Sequence, residues 1–260
     1  VCQVIERKES RGQVFLVSLH PDGRDGRHHV RNQGVAFVLA NGRLVMRQGH
    51  IDAEIIPADQ VPITYDGRAR FNVQNALAAA AAACARRLSL GDIRMGLQTF
   101  HPTPGQLPGR SNLVEAGGLR AIIDYGHNVP ALEALDQLVQ GLPARNRIAV
   151  ASAPGNRRDE DLIALGEQLG RMHDRVYICE SDPRGREPGG AAALIERGAR
   201  TTIAGGHVQV IRVEADAVDT ALAAASDGDL LVLLVDGTDR AIQRLKTKAG
   251  TGATSPVVTV

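Results

Sequence analysis

The sequence has no Trp, four Phe and three Tyr in 260 residues. Single-stranded nucleic acids are held by stacking bases on aromatic faces, so that function class is not expected. Charge of one sign is also missing: 30 Lys and Arg against 29 Asp and Glu leave a formal net charge of +1. That balance gives no electrostatic reason for a nucleic-acid or anionic-membrane partner. Cys2, Cys84 and Cys179 are few, odd in number and far apart. They form neither a disulfide framework nor a metal-ligand spacing, and a reducing compartment, the cytoplasm, is expected. No apolar run approaches the roughly 20 residues that a transmembrane helix needs. The longest, residues 76–85, is short and Ala-rich. No glycine is followed by Lys-Ser or Lys-Thr, so a phosphate loop of the form G-x-x-G-K-[ST] is absent. The sequence opens at Val1 without an initiator Met or a signal peptide, which suggests a fragment.

What is present is ordinary for a globular protein: 43% apolar and 23% charged residues, enough for one large domain or two modest ones. Residues 13–18 read as a buried strand and residues 21–27, PDGRDGR, as a loop. Residues 34–40, 43–47 and 51–56 read as three more strands, with a hairpin turn at Asn41-Gly42. Residues 72–88 are dominated by Ala, the best helix former, with Arg86 and Arg87 suited to the last turn. Residues 91–100 read as a second helix. Residues 102–108 hold three prolines and a glycine and read as a linker. Strands at 119–123, 147–152, 175–179, 208–213 and 230–235 then alternate with helices at 130–140, 159–172, 190–198, 215–225 and 239–246. Runs such as IAVAS and LLVLLV are apolar throughout, as in strands buried on both faces. The fold class expected is α/β: a Rossmann-like, mainly parallel sheet with flanking helices, preceded by strands and an Ala-rich helix. The boundaries read are 1–106 and 107–250, with a flexible tail at 251–260.

Residues 107–128, LPGRSNLVEAGGLRAIIDYGHN, organise the rest. Asp124, Tyr125, Gly126, His127 and Asn128 end a strand where a helix opens. Ligands of open parallel sheets bind at that edge, and helix N-termini favour anions. With Arg110 in the preceding turn, this reads as a phosphate-ester or carboxylate site. Asp124 equally suits a helix N-terminal carboxylate, and Asn72 a plain N-cap. Asn156 and Asp159 suit caps of the helix at 159. Asp236-Gly237-Thr238-Asp239-Arg240 lies on the same edge, where Asp239 again suits an N-cap.

FNVQNALAA (71–79), PGRSN (108–112), DYGHN (124–128), GNRRDED (155–161) and RGR (184–186) occur in this order. Together they resemble the Mur ligase superfamily, and within it the cyanophycin synthetases, over about residues 10–245. The resemblance implies a C-terminal Mur ligase domain preceded by the last part of a central ATPase domain. It implies an ATP-dependent acid–amino-acid ligase that joins L-arginine to the β-carboxyl of a poly-aspartate (cyanophycin) backbone through an acyl phosphate. The implied nucleotide contacts are Asn72, Asn75 (adenine), Arg110, Asp124 (ribose and phosphates), His127 and Asn128. The implied substrate contacts are Arg157, Arg158, Asp159, Asp182, Arg184 and Arg186. Asp182 would meet a cationic side chain and Arg184 a carboxylate, although both also suit a solvated surface loop. ATP and Mg²⁺ are the implied cofactors, bound mainly by an upstream part that carries the phosphate loop. No catalytic residue or metal ligand is assigned to this chain, and in isolation it is expected to be inactive. The partners implied are ATP, arginine and the polymer, with no nucleic acid or membrane; the intact protein could form a homo-oligomer. Gly126 stands where many relatives have Ala. Two other readings are another Mur-type ligase, acting on peptidoglycan precursors or folylpolyglutamate, and a non-catalytic regulatory module that binds nucleotide or polymer.

Overall fold

A computed structural model of the chain describes residues 12–116 and 118–248. Cys2 and the tail at 251–260 lie outside the described residues. The chain divides into two compact units between His101 and Pro102.

In the first unit, strands β1 (Phe15–Ser18), β2 (Val35–Ala40), β3 (Arg43–Gln48) and β4 (Ile51–Pro57) form one sheet in sequence order. β1 and β2 are parallel, and the other neighbours are antiparallel. Parallel neighbours need a crossover connection. This explains a correction: the stretch read as a loop at 21–27 opens helix α1 (Arg24–Arg31). Asp25 in its first turn and His28, His29 and Arg31 in its last suit the helix dipole. Asn41 and Gly42 have φ of 50° and 74°, as a tight hairpin turn requires.

Helix α2 (Arg70–Ala85) lays Val73, Ala76, Leu77, Ala80 and Ala81 on the sheet, against Phe37, Leu44, Ile55 and Ile56. Ala side chains let the helix axis approach closely. The helix ends three residues before the expected limit. Arg86 is its C-cap and Arg87 has φ 65°, so neither arginine lies in the last turn. Nor is Asn72 the N-cap. Ala69 holds that position, and Asn72 is buried within the first turn. Helix α3 (Leu90–Thr99) starts on a capping box between Ser89 and Asp92.

The second unit is a six-stranded sheet in the order β5-β6-β10-β7-β8-β9. The strands are β5 (Asn112–Ala116), β6 (Leu119–Asp124), β7 (Arg147–Ala151), β8 (Arg175–Ile178), β9 (His207–Val210) and β10 (Leu230–Leu234). All neighbours are parallel except β5 and β6. The edge strand β5 was not read from the sequence, because polar Ser111, Asn112 and Glu115 interrupt its apolar pattern. β9 stops at Val210, short of the expected 213, and Val213 is the N-cap of the next helix.

Helices α4 (Val129–Gly141), α5 (Asp159–Met172), α6 (Gly190–Thr202) and α7 (Glu214–Ala224) form the crossovers, and α8 (Thr238–Lys248) ends the described chain. Three crossovers step outward from β6 to β9. The fourth, through α7, returns to insert β10 between β6 and β7. Crossovers are right-handed, so outward and returning connections lie on opposite faces of the sheet. Accordingly α4 packs on α5 and α5 on α6, while α7 packs on α8. Leu231, Leu233 and Val235 of the central β10 segment join Ala217, Val218, Ile242 and Leu245 in one core.

α5 and α6 touch backbone to backbone. A Cβ on Gly166 would lie 2.0 Å from the Ile195 carbonyl oxygen, and one on Gly198 2.0 Å from that of Ile163. His173, just after α5, is fully buried. Its Nδ1–H donates to the Leu169 carbonyl at 2.9 Å, and its Nε2 has no partner among the described residues. Burial pushes its pKa from the usual 6.5 down to about 4.

Two stability predictions follow from these contacts. Gly166→Ala should cost about 3 kcal/mol by forcing the helices apart. Gly96→Ala, in open space on α3, should gain about 0.5–1 kcal/mol. Denaturant midpoints read both, and equal effects would contradict the packing described. For His173, the unfolded chain takes up a proton below about pH 6.5, but the folded chain does so only near pH 4. The stability it contributes is therefore complete above pH 6.5 and drains as pH falls toward 4, by about 3 kcal/mol. His173→Gln should narrow its stability gap to the parent by that amount between pH 7 and pH 4. A gap that does not change with pH would rule this out.

Candidate functional site

Insertion of β10 fixes where a ligand can enter the second unit. The chains leaving β6 and β7 turn to one face of the sheet, and the chain leaving β10 turns to the other. Crevices in open sheets form at such switch points, outside the carboxyl ends of the strands. Four side chains converge there from four strand ends: His127 after β6, Asp236 after β10, Ser152 after β7 and Ser181 after β8.

His127 is buried. Its Nδ1 lies 2.6 Å from the Tyr125 carbonyl oxygen, which can only accept, so Nδ1 carries the hydrogen. In the neutral ring Nε2 is then the acceptor. It faces the Ser152 Oγ at 3.5 Å and the Asp236 Oδ1 at 3.7 Å. Ser181 Oγ donates to the other oxygen of Asp236 at 2.7 Å. Among the described residues, no Lys or Arg pairs with Asp236. The His127 ring nitrogen and the Asp236 carboxylate oxygen thus face each other across the crevice, with the Ser152 hydroxyl beside them. Cys179 beneath is inert, because burial pushes its thiol up to about 12.

Helix N-termini at this edge are already filled. Glu214 accepts from the backbone N–H of Asp236 at 2.8 Å and of Gly237 at 3.0 Å, which closes the start of α8. Glu180 accepts from Gly189 N–H at the start of α6 and is held by Arg212. The Gly189 bond holds its carboxyl below the usual range. Asn128 caps α4 through Ala131 N–H at 2.9 Å. Asp159, Glu160 and Asp161 fill the first turn of α5. The helix starts of α4, α6 and α8 thus have some of their N–H groups satisfied from within the chain.

The PGRSN turn has a structural logic. Asn112 is buried and bonds to the backbone of Gly109, Pro102 and Leu107. Gly109 and Ser111 have φ of 65° and 50°, and between them Arg110 projects outward. Its guanidinium lies 5.9 Å from the Tyr125 ring centroid. Asp124 is the last residue of β6, not a helix N-terminal acid. Its Oδ2 accepts from both N–H and Oγ of Ser111, at 2.7 and 2.8 Å. A methyl on Gly126 would sit 3.0 Å from its Oδ1, so Ala there would crowd this carboxylate.

The loops after β7 and β8 are welded together. Gly155 N–H donates to the Asp182 carbonyl at 3.0 Å, and a Cβ on Gly155 would lie 2.0 Å from the Pro183 oxygen. Arg186 clasps both loops: it donates to the carbonyls of Gly155 and Arg157, each at 2.8 Å, and pairs with Asp159 at 2.8 Å. Asp159 is the first residue of α5 rather than its N-cap, a position Arg158 takes. Arg158 pairs with Asp161 and Glu160. Asp182 and Arg184 pair with each other at 3.6 Å. Arg157 makes no ion pair among the described residues.

Of the residues anticipated, Arg110, Asp124, His127, Asn128, Arg157, Arg158, Asp159, Asp182, Arg184 and Arg186 all lie on loops or element ends at the carboxyl edge of the second unit's sheet. Asn72 and Asn75 lie in the first unit. Asn72 donates to the Ile63 carbonyl and accepts from Asn75. Asp239 is the second residue of α8 rather than its cap. The sequence reading gave no role to Ser152, Ser181, Glu180 or Glu214. Asp236 was placed on this edge by the sequence but given no role of its own, whereas Glu214 has no local signal. Among the described residues, no three His, Cys, Asp or Glu side chains converge as metal ligands would, so the implied Mg²⁺ has no protein-built cage there. No described helix is long and apolar enough to cross a membrane.

Residues 109–237 match the family model described as Mur ligase, glutamate ligase domain. Cyanophycin synthetase from Trichormus variabilis is 36% identical over 242 residues, which cover 93% of this chain and 27% of that protein. A UDP-N-acetylmuramyl-tripeptide synthetase from Roseiflexus sp. is 34% identical over 175 residues, 66% of this chain and 34% of that protein. Among solved structures, E. coli FolC in complex with ADP shares the fold, with a TM-score of 0.60 at 22% identity, covering 90% of this chain and 53% of that one. The chain thus spans about a quarter of the length of the cyanophycin synthetases it matches. Its second unit carries a Mur ligase C-terminal domain, and the chain as a whole belongs with the Mur-ligase-like C-terminal part of the cyanophycin synthetases.

Proposed function

We propose that this chain is the amino-acid-receiving part of an ATP-dependent acid–amino-acid ligase. The intact protein would join L-arginine to the β-carboxyl groups of a poly-aspartate backbone. Likeness to the cyanophycin synthetases supports the reaction class. The polarity of the switch-point crevice supports the amino acid. There Asp236, with no Lys or Arg partner among the described residues, faces the ring nitrogen of His127. Such a pair calls for N–H donors, and arginine brings an ammonium and a guanidinium. Arg157, unpaired on the adjoining ridge, is suited to its carboxylate. The Asp182–Arg184 pair is exposed and costs little to open.

The reaction proceeds in two steps. The γ-phosphoryl group of ATP passes to a carboxylate oxygen and ADP leaves. The arginine amine then attacks the acyl carbon: the C–N bond forms, the C–O bond to phosphate breaks, the amine loses a proton, and inorganic phosphate departs. This chain's contribution is positioning. Arg110 and the Oδ1 of Asp124 are suited to nucleotide phosphate and ribose, with Asn75 suited to the adenine. Mg²⁺ would neutralise phosphate charge and is assigned to residues outside this chain. With the helix N-termini filled and no phosphate loop, the chain alone should not turn over.

Phosphate release from ATP, dependent on arginine and a β-aspartyl-arginine primer, tests this reading on the chain alone and on a longer protein that includes a phosphate loop. Activity is expected only in the longer form, and turnover by the chain alone would overturn the assignment. In the longer form, Asp236→Asn should raise the half-saturating arginine concentration about tenfold, the loss of roughly one charge-assisted hydrogen bond. The ATP requirement should stay unchanged. An unaltered arginine dependence would remove Asp236 from the site.

A further inference from the structure

A second feature lies in the first unit. Between α1 and the sheet is a pocket of about 450 Å³. Its floor is aliphatic: Val30, Ala36 and Val38. Its rim carries three arginines, Arg27 and Arg31 from α1 and Arg47 from β3, with His50 in the β3–β4 turn. Asp52 is the one carboxylate in the lining, and Arg47 already holds it at 3.1 Å while donating to the Pro21 carbonyl at 2.9 Å. Arg27 and Arg31 are exposed and make no ion pair among the described residues.

That surplus is unfavourable for the fold. Like charges four residues apart on a helix destabilise it, and this eight-residue helix carries Arg27 with Arg31.

We propose that this pocket binds an extended acidic peptide through its carboxylates. Guanidinium groups take carboxylates bidentately. Arg27 and Arg31 are separated by a rise of about 6 Å along the helix. Carboxylates two residues apart on one side of an extended peptide are separated by about 6.6 Å. The two spacings agree, so alternate acidic side chains meet successive arginines while the intervening stem lies on Val30 and Val38. The rim offers no Trp, Tyr or Phe for base stacking, which disfavours a nucleotide. Identifying the peptide as the poly-aspartate backbone rests on the ligase reading above, while the site itself rests on the pocket alone. Holding the polymer here would raise its local concentration for repeated turnover.

The test is fluorescence anisotropy of fluorescein-labelled hexa-aspartate with the full 260-residue chain at low salt. Saturable binding is expected, weakening as salt rises. Arg27→Ala/Arg31→Ala should weaken it at least about tenfold with thermal melting no lower than that of the parent. Arg175→Ala/Arg197→Ala, on the second unit, should leave it intact. Inorganic phosphate should displace the peptide far less effectively than unlabelled hexa-aspartate. Four outcomes would overturn the proposal: no saturable binding, equal binding by the Arg27/Arg31 variant, equal loss in the Arg175/Arg197 variant, or displacement by phosphate as effective as by hexa-aspartate. Because this assay needs no ATP, it can fail or succeed independently of the ligase assay.

Discussion

Glu214 lies at the start of one helix and closes the start of another, through the N–H groups of Asp236 and Gly237. Glu180 does the same for Gly189. An N–H group left bare at a helix start carries partial positive charge and draws anions. With these groups satisfied internally, the starts of α6 and α8 offer fewer bare N–H groups to an anion. What remains at the centre of the six-stranded sheet's carboxyl edge is acceptor character: one imidazole nitrogen and one carboxylate. The division of labour proposed for this chain, receiving an amino acid while the phosphate chemistry is held elsewhere, follows from that balance. It also agrees with the absence of a phosphate loop from the sequence.

Desolvation governs the second unit's interior as well. Cys179 and His173 are both kept neutral by burial, one by raising a thiol's pKa and the other by lowering an imidazole's. Neither is available for chemistry. His127 is buried too, but its ring is set by the Tyr125 carbonyl and faces Ser152 and Asp236. The contrast separates a histidine that fills a core from one that borders a crevice.

Much of the second unit was legible because strands buried on both faces are apolar throughout. IAVAS and LLVLLV are strands for that reason, and DYGHN, GNRRDED and DGTDR necessarily fall on one edge. What was not legible is held together across long stretches of sequence. The order of strands is not written in their alternation, so the insertion of β10 between β6 and β7, and with it the meeting of Ser181 with Asp236, could not be read. Asp124 looked like a helix-start acid because its partner, Ser111, lies in a different turn. The clasp that Arg186 makes with Gly155, Arg157 and Asp159 could not be read, because its partners lie in another loop. In the first unit, α1 was hidden behind two glycines and two aspartates, although two parallel strands required a crossover.

The weld between the loops after β7 and β8 bears on how substrate choice can diverge among relatives. Gly155 leaves no space for a side chain against Pro183, and Arg186 spans both loops. A change that reshapes one loop therefore displaces the other. Grafting a foreign 180–189 segment alone would strand Gly155 and Asp159 without their clasp, whereas moving residues 153–159 and 180–189 as a matched pair would preserve it. The two loops form one structural cassette, and chimeras that respect that unit are the ones that should fold.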